Sequence, residues 1–333
     1  MPILYSSAFK GQAFYREDLE ALSRSFPCTD CITSSSFSVA LASEYVLAYF
    51  FTYSSLLSFF RAILFKPTVL TGGVDFLSDR QSPLRYLLRL FLFYVGVFFC
   101  KSLLAVSDYD YRLIRSHLPL FLKNKIILSP HSLAKAYQIA SYNSDLRNSM
   151  TMDGLTVCWQ GSSENPFRKG VDRAIMLYNY LHLQGVFARL TIVGAMGPGT
   201  VFINNIIRSC IRQDLFVLTD FVTESELKLL FLSHNYYIQL SRMEGFGLSV
   251  AEAVLYGCKV ICTDSGGLTT SSGPCPFYLN YSTLNLIDKG LYFEPLSIFT
   301  AALHPSRSQR LDFASLMSSD RRATDIKKSF FMS

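Results

Sequence analysis

Residues 241–267, SRMEGFGLSVAEAVLYGCKVICTDSGG, concentrate the residue types that could do chemistry. A strand ending near Leu240 runs into Gly245-Phe246-Gly247, and a helix opens at Leu248. Two glycines let the backbone approach a ligand closely. The first turn of a helix offers unpaired N–H groups and the positive end of the helix dipole. Together they suit an anion, and a phosphate best. Glu244 stands just before the turn. Glu252 lies about one turn into the helix, within reach of a sugar hydroxyl beyond that phosphate. Gly257 ends the helix, a strand follows, and Gly266-Gly267 makes a second tight turn at a strand's carboxyl end. That edge is where open α/β sheets bind ligands. An isolated Gly-x-Gly more often only makes a turn, and a helix carboxylate more often only faces water. Here the two glutamates and three glycines bracket a single helix.

The elements that must position these residues alternate. Strands are expected at 3–5, 46–51, 68–71, 103–107 and 126–128, with helices at 16–25, 54–64, 84–100 and 109–117. A polar stretch at 141–153 reads as a linker. A second unit follows, with strands at 155–159, 189–193, 215–218, 236–239 and 259–263. Its helices are expected at 171–184, 202–213, 224–233 and 248–256. Short β-branched runs alternating with helices specify an α/β fold with a parallel sheet.

On these residues the chain resembles the retaining glycosyltransferases of group 1 (family 4), which have the GT-B fold. Glu244 and Glu252 meet the family's pattern of two glutamates separated by seven residues. Gly245-Phe246-Gly247, Glu252-Ala253, Gly257 and Gly266-Gly267 match its following positions. Pro166-Phe167-Arg168-Lys169-Gly170 is similar to its Lys-Gly segment. Residues 190–194, ending in Gly194, are similar to its central strand and glycine, and 223–227 to a helix start before the nucleotide pocket. The likeness is specific over 155–267 and only topological before that.

The resemblance implies two Rossmann-like parallel-sheet domains facing a cleft, with the N-terminal one shortened. It implies an acceptor-side domain at 1–145, a nucleotide-sugar domain at 146–295, and a tail at 296–333 packing back on the N-terminal domain. Glu252 would hold the ribose hydroxyls of a nucleotide sugar. Glu244 with the Gly245, Phe246, Gly247 and Leu248 backbone would hold sugar and phosphate, with Gly194 contributing to the donor pocket. Lys169 would neutralise the leaving diphosphate. The family places an arginine after the glycine ending its first C-domain strand; here Gly161 is followed by Ser162-Ser163-Glu164, and Arg168 is the candidate replacement. Its Pro-Asn-Gly at the domain junction is replaced by Pro130-His131-Ser132. His131 is expected either to reach the cleft or, as lone histidines more often do, to be a hydrogen-bonded structural residue. Transfer would retain the anomeric configuration, the leaving phosphate taking the acceptor's proton, without cofactor or metal. The second reading is a catalytically degenerate GT-B relative that binds nucleotide sugar or scaffolds a partner. A dinucleotide oxidoreductase is set aside, because Gly194-Ala195-Met196-Gly197-Pro198-Gly199 has the wrong spacing and a proline where a helix should open.

Composition bounds the rest. Half of the 333 residues are hydrophobic, which excludes a disordered chain. Residues 45–60 form a charge-free run with five hydroxyl side chains, and 90–100 a more apolar but shorter one. Neither reaches the roughly 20 apolar residues of a membrane span. Residues 1–150 carry 15 Lys and Arg against 10 Asp and Glu, whereas 151–333 carry 16 against 15. A basic, aromatic-rich first half suits peripheral contact with anionic lipid, and Arg85 and Arg89, one turn apart, would border a helix dipping into headgroups. The alternative is that this helix is ordinary core. No basic–aromatic repeat suggests nucleic acid. Cys28 and Cys31 form a lone CxxC without the second pair of a zinc site, so the thiols are expected reduced and the protein cytoplasmic. The partners expected are a nucleotide-sugar donor and a glycan or lipid-linked acceptor.

Overall fold

The computed structural model describes residues 2–5, 13–27, 31–34, 43–49, 67–72, 83–142, 151–158, 166–194, 199–291 and 293–331. The expected helix 54–64, the Gly161–Glu164 departure and Cys28 lie outside them. The chain divides into two units, one of residues 1–137 and 314–333, the other of 138–313.

The first unit holds strands β1 (Pro2–Tyr5), β2 (Ile32–Ser34), β3 (Tyr45–Tyr49), β4 (Thr68–Thr71), β5 (Ser102–Ala105) and β6 (Ile126–Leu128). They lie in the order β2-β1-β3-β4-β5-β6, every pair parallel. Strands β4 and β5 are buried at every position. Their side chains alternate between two cores, as a sheet covered on both faces requires. Leu70 and Leu103 enter one with Phe93, Val97 and Ile114; Val69 and Leu104 enter the other with Leu22, Ile326 and Phe330.

That second core is closed by the helix Ser319–Phe331, which packs against the helix Ala13–Ser25. An ion pair pins it: Arg322 donates to both carboxylate oxygens of Asp18, at 2.9 and 3.0 Å, with both side chains fully buried. Arg322 also donates to Thr71 Oγ1 at 2.8 Å, and the Tyr49 hydroxyl donates to Asp18. His131 joins this cluster, Nδ1 lying 3.8 Å from Asp18, and burial pushes its pKa below the ordinary histidine value. It is a buried structural residue of the first unit.

The second unit holds β7 (Gly154–Val157), β8 (Leu190–Val193), β9 (Phe216–Leu218), β10 (Tyr236–Gln239), β11 (Lys259–Cys262) and β12 (Phe277–Tyr278). Their order is β12-β11-β10-β7-β8-β9, again all parallel. Numbered within the unit this is 3-2-1-4-5-6, the doubly wound order, and it reverses between β7 and β10. Helix Val171–Leu183 is buried along almost its whole length against Leu190, Ile192 and Ile238. Gly154 lets it come close: a Cβ there would lie 1.9 Å from the Tyr178 hydroxyl, which donates to the Met152 carbonyl at 2.9 Å. The expected helix 202–213 is shorter, Thr200–Arg208, because the chain turns at Ser209 and Cys210 into a 3-10 turn at Gln213–Leu215. Cys158, Cys258 and Cys262 are buried core thiols.

Candidate active site

A crevice in a doubly wound sheet opens where the strand order reverses, at the carboxyl ends of the two strands flanking that point. In the second unit those are β7 and β10. The segments that follow them, ending in 166–170 and starting at 240, carry Arg168, Lys169 and Glu244.

Gly170 brings the two segments together. It is left-handed (φ +67°), and a Cβ on it would lie 1.8 Å from the Leu240 carbonyl oxygen at the end of β10. Arg242 then locks them. Its N–H donates to the Arg168 carbonyl at 2.8 Å, and its guanidinium lies 3.5 Å over the Phe167 ring. The same guanidinium donates to both oxygens of Asp172 at 2.9 and 2.8 Å and to Asp288 at 2.9 Å. Arg173 shares Asp288, its Nε donating to Oδ1 at 2.7 Å and its Nη2 to Oδ2 at 2.5 Å. Gln239 and Ser241 both donate to the Lys169 carbonyl at 3.3 Å.

So held, Lys169 donates to Glu244 Oε2 at 2.7 Å, with the side chains only 12% and 10% exposed. Burial by itself would raise the Glu244 pKa, but the charges of Lys169 and Arg168 outweigh it and hold the carboxyl below its ordinary value. Glu244 is therefore a fixed anion beside a fixed cation. Arg168 donates to the Met243 carbonyl at 3.0 Å, which keeps its charge near the same carboxylate.

The glycine turn follows. Gly247 is left-handed (φ +88°) and begins the helix Leu248–Leu255 with no side-chain cap; the Val250 N–H turns back to the Gly247 carbonyl at 3.0 Å, so a ligand would meet the amides ahead of it. The turn is clamped from β11: the Gly267 N–H donates to the Glu244 carbonyl at 2.8 Å, and Ser265 Oγ donates to the Arg242 carbonyl at 2.8 Å. Both glycines of that clamp are required. A Cβ at Gly266 would lie 2.1 Å from Glu244 O, and one at Gly267 2.0 Å from Gly245 O. The Phe246 side chain is buried, and its contribution to a ligand would come from backbone. Glu252 is half-buried on the same helix; burial raises the Tyr237 and Tyr256 phenols, and the nearby Glu252 charge adds to the rise in both. Gly194 makes a left-handed turn (φ +73°) at the end of β8, on the same edge of the sheet. Among the described residues no group of three or more His, Cys, Asp or Glu is placed to hold a metal ion.

Residues 164–271 match the family profile described as glycosyl transferases group 1. The match takes in the strands β8, β9, β10 and β11 and the Lys169–Glu244 pair, and it is to this segment of the chain. No curated protein matches the chain. Among solved structures it is similar to the lipopolysaccharide outer core galactosyltransferase WaaB, at 10% identity and a TM-score of 0.68, with 99% of each chain covered. It is also similar to HepE of Anabaena in complex with UDP-glucose, at 14% identity and a TM-score of 0.66, covering 98% of this chain and 97% of that one. A glycosyltransferase from Rickettsia africae aligns at 15% identity and a TM-score of 0.65, covering 100% and 98%. Identities this low speak for the fold alone. The segment matching the group 1 profile thus sits in a chain of two parallel-sheet units with the GT-B fold of these neighbours.

Two parts of the site escaped the sequence reading. Asp172 and Asp288 buttress the Lys169 loop through Arg242, and nothing in the sequence connects positions 116 residues apart. Tyr237, whose hydroxyl bonds Ser249 Oγ at 2.8 Å, ties β10 to the start of the helix that follows. The alternation of strand residues could have flagged it as inward-facing, but not its partner.

Proposed function

We propose that the chain transfers a sugar from a nucleotide-sugar donor to a glycan or lipid-linked acceptor, with retention of anomeric configuration, in the making of a cell-surface polysaccharide or glycolipid. The observation that carries this is the Lys169–Glu244 pair standing beside an uncapped helix start at the switch point of the second unit.

The chemistry is a separation of charge. As the glycosidic bond breaks, negative charge grows on the diphosphate, and donors fixed in advance where that charge develops lower the barrier. An ammonium has three donors. Lys169 gives one to Glu244, leaving two for phosphate oxygens. The backbone amides from Gly247 to Leu248 give further donors from the other side. Glu244, an ionised carboxylate, can only accept, so it takes sugar hydroxyls rather than phosphate. Glu252 takes the ribose hydroxyls. Arg168 adds positive charge beside the pair. The leaving phosphate accepts the acceptor's proton, so no metal or further cofactor enters the scheme. Both UDP and UDP-glucose complexes of HepE are solved, and a uridine donor is the natural first trial.

The enzyme would work at the cytoplasmic face of a membrane, where lipid-linked acceptors present their headgroups. No helix among the described residues is long and apolar enough to cross a bilayer.

The test is product stereochemistry. An α-linked nucleotide sugar with a trial acceptor should give an α-linked product, read by the anomeric proton coupling. A β-linked product would overturn retention. Lys169→Ala should lower turnover by about 10²–10³-fold, the usual cost of one such electrostatic donor.

A further inference from the structure

The helix Pro83–Phe99 is apolar on two sides. Phe93 and Val97 are buried in the first unit's core, with Leu90 and Tyr94 packed beside them. The outward side carries Leu87, Phe91 and Phe98 along one ridge and Leu88 and Phe99 along the next, each between 47% and 62% exposed. A helix apolar all round is expected to be buried, and this one presents two aromatic-rich ridges to its surroundings. The 3-10 turn Leu120–Lys125 packs against it and adds Leu120 and Phe121, 82% and 68% exposed. Lys125 Nζ ties the turn to the helix end, donating to the carbonyls of Val97, Phe98 and Cys100 at 3.2, 2.6 and 2.8 Å.

The charge along this stretch of chain is one-sided. From Pro83 to Tyr142 there are eight Lys and Arg and two acidic residues, Asp108 and Asp110. Asp110 is buried, accepting from Ser107 at the start of the helix Asp108–His117. Lys101, Arg112 and Arg115 are exposed and Lys123 half-exposed. The side chain of Arg85 lies outside the described residues. An apolar strip of about 25 Å, the length of a 17-residue helix, with Lys101 just past its end and Lys123 on the turn packed against it, has the form of an interfacial helix lying in a membrane plane.

We infer that the outward face of Pro83–Phe99, with Leu120 and Phe121, rests on an anionic lipid bilayer, the aromatic side chains entering the acyl boundary and the lysines and arginines meeting phosphate headgroups. Charge selects this occupant over a second copy of the chain. A two-fold contact sets each patch against itself, so the same basic residues would face one another. A bilayer surface instead supplies the opposite charge. This deepens the membrane location proposed above, and its test reads lipid binding rather than transfer, so failure here leaves the donor site untouched.

The experiment is flotation of the full chain with vesicles of phosphatidylcholine alone or with roughly one-third phosphatidylglycerol, the anionic fraction giving the surface its negative potential. The chain should float with the anionic vesicles and be released by salt. Lys101→Glu with Lys123→Glu should weaken partitioning at least about tenfold. Phe91→Ser with Phe98→Ser should weaken it about a hundredfold or more. Both double variants should keep the wild-type melting temperature within a few degrees, since these side chains are at the surface. Failure to float with either vesicle would overturn the inference. So would equal flotation of wild type and both variants, or a concentration-dependent dimer that the phenylalanine pair abolishes while vesicle binding stays absent.

Discussion

Lys169 carries the account at the scale of single residues. Replacing it with alanine leaves Glu244 ionised and nearly buried without its counter-ion, which costs far more than an exposed pair would. Lys169→Ala should therefore do two things at once: lower transfer, and raise the Glu244 pKa toward or past its ordinary value. Carbon-13 NMR of the glutamate carboxyls would follow that second change directly. Glu17 gives an opposite effect in the first unit. It is buried, it accepts from the Ala134 N–H, and desolvation lifts its pKa to about 7. A carboxyl raised in the folded state binds its proton more tightly there than in the unfolded chain. Its contribution to stability is therefore full below about 4.5 and lost as pH rises to about 7, on the order of 3 kcal/mol in all. Glu17→Gln should flatten melting temperature between pH 5 and 8 while wild type falls; equal slopes would show that Glu17 is ionised throughout. Asp18 runs the other way. Burial opposes its charge but Arg322 overrides, so its contribution holds above the ordinary aspartate range and is lost as pH falls below it.

Among the elements, the turns around Glu244 decide whether the site exists. Gly266 is left-handed (φ +58°) with the Glu244 carbonyl where a side chain would begin. Gly266→Ala combines backbone strain with a clash against backbone. It should cost about 2–4 kcal/mol of stability and displace Glu244, so donor affinity falls even where the fold survives. A chemical-denaturation midpoint together with donor titration reads both effects, and a fully active, fully stable alanine variant would contradict the clamp. This is also where sequence was most informative. A glycine needed for close approach leaves a mark in the chain, and so does a helix start after a strand. The strands at 68–71, 126–128 and 236–239 and the helix 224–233 were legible for the same local reasons. What was not legible is long-range. Asp288 buttresses Arg242 by virtue of tertiary position alone, and β2 and β12 are short edge strands without a hydrophobic pattern of their own.

At the scale of the whole molecule, the chain builds two parallel sheets and then returns: residues 314–333 belong to the first unit. The return is fastened by Arg322, fully buried against Asp18, Tyr49 and Thr71. Arg322→Ala would strand the Asp18 carboxylate in the core and should destabilise the first unit by about 3–5 kcal/mol. Two melting transitions, with only one moved by the substitution, would locate that loss. The fold class could be read from alternation, whereas this fastening could not, since a basic residue in a charged C-terminal helix looks like a solvated one.

The central claim is that the second unit holds a nucleotide-sugar donor between the Lys169–Glu244 pair and the helix Leu248–Leu255. Its most direct test is a thermal-shift panel of UDP-, GDP-, ADP- and dTDP-sugars on wild type, Lys169→Ala and Glu252→Ala. A ligand that binds only the folded state at 100 times its Kd adds about 2.7 kcal/mol of stability. One nucleotide class should raise the melting temperature of wild type by several degrees and leave both variants nearly unmoved. No shift with any donor in a well-folded sample, or an equal shift in all three proteins, would contradict the site described.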